Sequence, residues 1–153
     1  MRRKDREVKD EKEILNIMNK CKVCRIAMQD EAGLYIVPMN FGYEYDGQFT
    51  LYFHSSKEGR KMNVIKNEPD VAFEMDCEHQ LVKGQQACRY SYLYQSIIGE
   101  GKIQCIYGDE KKKALNILMK HQTNKEFEFN DQMCESVFVF KIKVRKLSAK
   151  SHI

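Results

Sequence analysis

The residues best placed to do chemistry are Tyr52-Phe-His-Ser-Ser-Lys-Glu-Gly-Arg-Lys61. A strand running to His54 is followed by Ser55 and Glu58, the spacing of a capping box, which predicts a helix over 57–67. A helix start offers free backbone N–H groups and a partial positive charge, both suited to an anion. Lys57, Arg60 and Lys61 stand at i, i+3 and i+4, so on a helix they share a face. Hydroxyls, N–H groups and cations would converge where one phosphate could be held. The plainer alternative is a solvated basic helix with an ordinary cap. His54, beside this turn, is the histidine best placed for proton transfer. His79, His121 and His152 have no neighbours that mark them out.

Two further segments carry potential. In Val37-Pro-Met-Asn-Phe-Gly-Tyr43 the proline has no N–H to donate, so it marks a sheet edge or a bulge. Backbone groups left free there, with the Asn40 amide, could bond a flat heterocycle. A proline that merely blocks edge-to-edge aggregation is the alternative. In Arg89-Tyr-Ser-Tyr-Leu-Tyr-Gln-Ser96, alternation puts Tyr90, Tyr92, Tyr94 and Ser96 on one face and Gln95 on the other. Such an aromatic stripe reads first as core or interface. Cys21-Lys-Val-Cys24 has no second Cys pair to complete a zinc site, and no helix follows it as a redox motif requires. All six cysteines therefore read as free thiols and small hydrophobes.

The elements that must position these residues fit one domain, 1–153. A short helix spans 10–20, capped by Asp10. Strands follow at 22–28, 34–45 and 49–54, the last two joined by the Asp46-Gly47 hairpin signal. After the helix over 57–67 come a strand at 71–75 and a polar stretch, 76–87, that reads as a specificity loop. A strand from 89 to 98 bends at Gly99 and Gly101 and continues over 102–107. A helix over 109–121 and a strand over 137–147 complete the chain. Hairpin links without βαβ alternation predict a mainly β (α+β) fold, an antiparallel barrel of six or seven strands with about three outer helices.

Composition excludes several function classes. The longest apolar runs are four residues, such as Val137–Phe140, whereas a spanning helix needs about twenty. Residues 1–13 are almost wholly charged and lack the apolar stretch of an export signal, which points to the cytoplasm. With 26 Lys and Arg against 22 Asp and Glu, there is no basic stripe for nucleic acid.

Taken in order and spacing, CKVCRIAM, YIVPMNFGYEYDG, LYFHSSKEGRKMNVIKNEPDVAFEMD and YQSIIGEGK resemble the FMN-binding split barrels of the pyridoxamine 5′-phosphate oxidase superfamily, and within it the nitroimidazole-resistance (Nim-type) proteins. The resemblance implies a homodimer with FMN at the subunit interface, each flavin touched by both chains. It places Arg60 and Lys61 on the flavin phosphate with Ser55 and Lys57 alongside. It runs Pro38, Met39 and Asn40 along the isoalloxazine ring, lines the flavin with Phe53 and His54, and shapes the pocket with Gln95 and Ser96. The expected activity is reduction of a small electron-poor molecule such as a nitro-aromatic, with His54 donating a proton or orienting the substrate. The chain ends at Val144-Arg-Lys-Leu-Ser-Ala-Lys-Ser-His-Ile153, without the arginine-bearing segment with which pyridoxamine-phosphate oxidases proper grip their substrate. Oxidation of vitamin B6 is therefore not expected. The alternative is a flavin- or haem-binding carrier or sensor without turnover.

Overall fold

The computed structural model describes residues 3–153. A 3-10 turn (Lys4–Arg6) leads into a two-residue strand, β1 (Glu7–Val8), and helix α1 (Glu11–Lys20). The Asp10 side chain caps α1 by accepting from the Glu13 N–H at 2.9 Å, and Ile17 and Met18 on its inner face are buried. Then come β2 (Val23–Asp30), β3 (Gly33–Asn40), β4 (Gly42–Tyr45), β5 (Phe49–Ser55), α2 (Arg60–Ile65), β6 (Asp70–Val82), β7 (Ser91–Ile106), α3 (Glu110–Thr123), α4 (Asp131–Glu135) and β8 (Phe138–His152).

All strands join one antiparallel sheet in the order β3-β2-β6-β7-β8-β5-β4, with β1 on the free stretch at the end of β8. The sheet curls but does not close. β3 and β4 are neighbours in the chain yet occupy its two edges, which makes the fold a split barrel. Phe41 separates them, so the single strand expected over 34–45 is two. The side chains of Asn40 and Gln122 reach across this seam. Asn40 Nδ2 and Gln122 Nε2 both donate to the Lys22 carbonyl, at 3.0 and 3.1 Å, and Gln122 Nε2 also donates to the Phe41 carbonyl at 2.8 Å. Beside the seam α3 touches β4 directly. A Cβ on Gly42 would lie 2.6 Å from both the Ile117 carbonyl oxygen and the Leu118 nitrogen.

The inner core contains Phe41, Phe53, Phe73, Phe140, Ile26 and Met75, all essentially inaccessible. Each such side chain contributes about 1.5–3 kcal/mol of transfer free energy. A smaller cluster, Tyr52, Ile106, Leu115, Cys134 and Val139, packs α3 and α4 onto the outside of the barrel. β7 is one bent strand. Its register against β8 slips between Glu100 and Gly101, leaving Arg145 unopposed as a bulge. At Gly101 a side chain would run into the Lys143 carbonyl.

Other elements also differ from expectation. The stretch 76–87 is not a loop as far as Val82: β6 extends that far by pairing with β7, across an irregularity between Cys77 and Gln80 where Glu78 is left-handed (φ 49–59° describes the left-handed non-glycine residues Glu68, Asn124 and Glu78). Backbone pairing, not apolar alternation, makes this ribbon. β8 likewise runs on to His152 because β7 and β1 both pair with it. Helix α4 was not expected; its Asn130 cap, accepting from the Met133 N–H at 2.8 Å, starts it.

Candidate functional site

Along β5, Phe49, Leu51, Phe53 and Ser55 face inward, and Thr50, Tyr52 and His54 face outward. Ser55 is still in the ladder, opposite Phe138. It is 6% exposed, and its hydroxyl has no hydrogen-bond partner among the described residues. The expected Ser55–Glu58 capping box is therefore absent. Ser56 instead donates to the Glu58 carbonyl at 3.0 Å, and Gly59, at φ 112°, takes the cap position. That backbone conformation strains any residue with a Cβ. The helix is six residues rather than eleven and starts at Arg60. Lys57 precedes it, so Lys57, Arg60 and Lys61 do not form a helical face.

Arg60 and Lys61, successive on the helix, diverge by about 100°. The Arg60 guanidinium donates to both Asp30 carboxylate oxygens, at 2.7 and 2.8 Å, and lies 4.2 Å over the Tyr35 ring. It holds the Asp30 carboxyl below its ordinary range. Arg60 thus clips α2 to the β2–β3 hairpin. Asp30 and Tyr35 are the residues that sequence reasoning missed. Asp30 was legible as a turn residue, but its partner lies thirty positions downstream. Lys57 is exposed and Lys61 half-buried, and neither pairs with an acid among the described residues.

His54 is exposed and has no hydrogen-bond partner among the described residues. It walls a pocket of about 260 Å³ with Leu115, Leu118, Met119, Phe129 and Met133. Desolvation by these neighbours, and then the Lys61 charge, lower its pKa below the usual imidazole value, so the neutral ring is favoured. Phe53, its chain neighbour, points the other way and stacks on Phe140 at 5.0 Å. The two expected flavin-lining residues are therefore on opposite faces.

On the edge strand β3, Pro38 is exposed on the outer face with Leu34 and Ile36, which are 80% and 67% exposed. Met39 is buried in the core, and the Asn40 amide nitrogen is engaged by Lys22 and Gln122. Register carries the outer face from Pro38 through Arg25 and Glu74 to Ile98, with Ser96 two residues away on the same side. Gln95 faces inward, 1% exposed, accepting from Lys20 Nζ at 3.3 Å and donating to Ser151 Oγ at 3.2 Å. The structure thus gathers Ser55, Lys57, Arg60 and Lys61 around one turn, and places Pro38 and Ser96 on one outer face. It leaves Met39, Phe53 and Gln95 inside. Cys21 and Cys24 are buried, and burial pushes both thiols up.

No helix of the described residues is long and apolar enough to cross a membrane. No curated protein sequence matches the chain. Among solved structures it is similar to a candidate 5-nitroimidazole antibiotic resistance protein from Bacteroides thetaiotaomicron, with 35% identity over 94% of this chain and 85% of that one, at a TM-score of 0.80. An FAD- and haem-binding protein from Mycobacterium smegmatis shares the fold, with 14% identity over 95% and 73% of the two chains and a TM-score of 0.81. So does an FAD-binding protein from Mesorhizobium loti, with 21% identity over 97% and 98% and a TM-score of 0.66. The sequence profile of the pyridoxamine 5′-phosphate oxidase family matches residues 10–151, and with this match and the 35% identical structure the chain belongs to that family.

Proposed function

We propose that the chain is an FMN-dependent oxidoreductase that reduces small electron-poor molecules such as nitro-aromatics, working as a cytoplasmic homodimer. The observation that carries the reading is the Ser55 hydroxyl, buried without a partner among the described residues and followed in the chain by two cations, Lys57 and Lys61, that pair with no acid there. A buried hydroxyl of this kind is a donor waiting for an acceptor, and a phosphate supplies one. The flavin-binding relatives favour the same group. The fit is good at Ser55, Lys57 and Lys61, and along the open row Leu34, Ile36 and Pro38, which offers an apolar surface to a flat ring. It is poorer at Arg60, already bonded to Asp30, and at Gln95, which faces the core.

When bound, the flavin supplies the electron transfer. The residues of the chain do the rest. Lys57, Lys61 and Ser55 hold the phosphate by charge-assisted bonds. Neutral His54 orients the acceptor through its ring N–H, and the apolar wall beside it keeps water from that face. A second copy covers Leu34, Ile36 and Ile98, which a lone chain leaves exposed. Six free cysteines suit a reducing compartment. Carriage of a flavin or haem without turnover is the second reading, favoured by the haem-binding relative.

The visible spectrum of the purified protein separates flavin from haem. Sedimentation at twice 18.1 kDa tests the dimer. Titration with FMN and with riboflavin tests the site. Lys61→Gln should weaken FMN at least tenfold, the effect of losing one charge-assisted bond, and leave riboflavin nearly unchanged. Arg60→Gln should weaken FMN less, because Asp30 occupies that guanidinium. Equal loss of both ligands in Lys61→Gln would mean that the turn acts through folding.

A further inference from the structure

At the far end of β8 from Ser55, a second group of polar side chains meets with no acid bonded to it among the described residues. The Arg6 Nη2 lies 3.2 Å from His152 Nε2, and Ser91 Oγ lies 3.0 Å from the same nitrogen. Arg6 Nε is fully buried and has no partner among the described residues. Its guanidinium carbon stands 5.9 Å from the centre of the Tyr94 ring, which also flanks His152 at 6.2 Å. The neighbouring acids are taken: Arg3 holds Asp5 through two bonds, one of 2.8 Å, and Lys9 pairs with Glu7 at 3.4 Å. Arg6 forms no ion pair among the described residues. Neither does Lys150, which stands on the same face of β8 as His152.

Counting donors and acceptors shows the imbalance. Arg6 brings five N–H groups and no acceptor, and Ser91 brings one O–H together with the lone pairs of its oxygen. The imidazole offers them at most one lone pair at Nε2. If that nitrogen holds the lone pair, Arg6 and Ser91 compete for it. If it holds the proton, it donates to Ser91 Oγ, and the Arg6 N–H faces another N–H. In both tautomers donors exceed acceptors, no carboxylate bonds the guanidinium among the described residues, and its Nε is out of water with nothing there to bond. Strand pairing fixes the pieces: Tyr94 stands opposite His152, and Val8 opposite Ala149. The missing component is an anionic acceptor with more than one oxygen.

We propose that Arg6, Ser91 and His152 form an oxyanion site that takes the phosphate or carboxylate group of a small ligand. It is separate from the turn at Ser55, which meets the opposite end of β8 at Phe138.

The test is NMR of the full-length protein with ¹³C-labelled histidine, whose four rings include His152. Inorganic phosphate and acetate are titrated separately at ionic strength held with sodium chloride. The expected result is a saturable shift of the His152 ring signals by one or both anions at millimolar concentration; the anion that saturates first identifies the ligand group. Arg6→Gln should weaken that binding at least tenfold, and Ser91→Ala, which spares the Arg6–Tyr94 packing, should weaken it less. The shift should persist in Lys61→Gln. A His152 signal that follows chloride as well as it follows either anion overturns the site. So does an affinity unchanged in both Arg6→Gln and Ser91→Ala, or a response abolished by Lys61→Gln.

Discussion

Replacing Ser55 by alanine should move two properties in opposite directions. The hydroxyl is 6% exposed and unpartnered, and leaving such a group desolvated costs about 1–3 kcal/mol. Alanine removes that cost and leaves a void the size of one oxygen, so the flavin-free protein should gain about 1 kcal/mol. At a urea dependence of roughly 2 kcal/mol per molar, the unfolding midpoint rises by about 0.5 M. Binding should suffer. A hydroxyl bond to a phosphate is worth about 1.5–3 kcal/mol, so FMN affinity should drop about tenfold to 150-fold. Riboflavin, without the phosphate, should bind as before. Urea unfolding of the flavin-free protein and fluorescence titration with both flavins measure the two effects. A variant less stable than the parent would mean that the hydroxyl is already satisfied. An unchanged FMN affinity would place the phosphate elsewhere.

His54 and His121 give the remaining predictions. In protein fully loaded with flavin, His54→Ala should slow nitro-aromatic reduction per bound flavin by about 10²-fold, the low end for a positioned acid–base group. An unchanged rate removes His54 from the reaction. His121 is 7% exposed, and its Nε2–H donates to the Cys21 carbonyl at 2.8 Å. Burial lowers its pKa, the bond to Cys21 partly opposes this, and Lys22 lowers it further. The unfolded chain therefore binds the proton first. The stability contributed by neutral His121 is complete above about pH 6.5 and is lost as pH falls through the depressed folded value. Urea midpoints at about pH 7.5 and about pH 5.5 should show a drop that is smaller in His121→Gln; an equal drop would exonerate His121.

Local signals were legible. Asp46-Gly47 makes its hairpin, with Gly47 at φ 96° and the Asp46 carboxylate accepting from the Gln48 N–H at 3.3 Å. Asp10 starts α1, and the glycine pair marks the bend of β7. Distant partners were not legible. The Ser55–Glu58 spacing is a helix start by local rules, yet Ser55 is claimed by its ladder with Phe138, eighty-three residues away in the chain. Arg60 looked free because Asp30 lies outside its local window. Polar residues 76–82 carry no strand period because their strand is held by the backbone of β7. At the site, alternation along β7 put Gln95 and Ser96 on opposite faces, as the structure has them, whereas Phe53 and His54, expected on the flavin together, are turned apart by the pleat of β5.

The absence of a side chain at residue 42 has a practical consequence for recombination. Even one carbon there would need α3 to retreat by about 1 Å to restore ordinary contact with Ile117 and Leu118. Gln122, one turn later on the same helix, bonds the Lys22 and Phe41 carbonyls, so the helix and the two edges of the seam fit as a set. In chimaeras with a relative, residues 40–42 and 117–122 should be exchanged together. A crossover between them would join a helix shaped for one seam to a strand shaped for another, and the mismatch would fall beside the edge that carries Pro38.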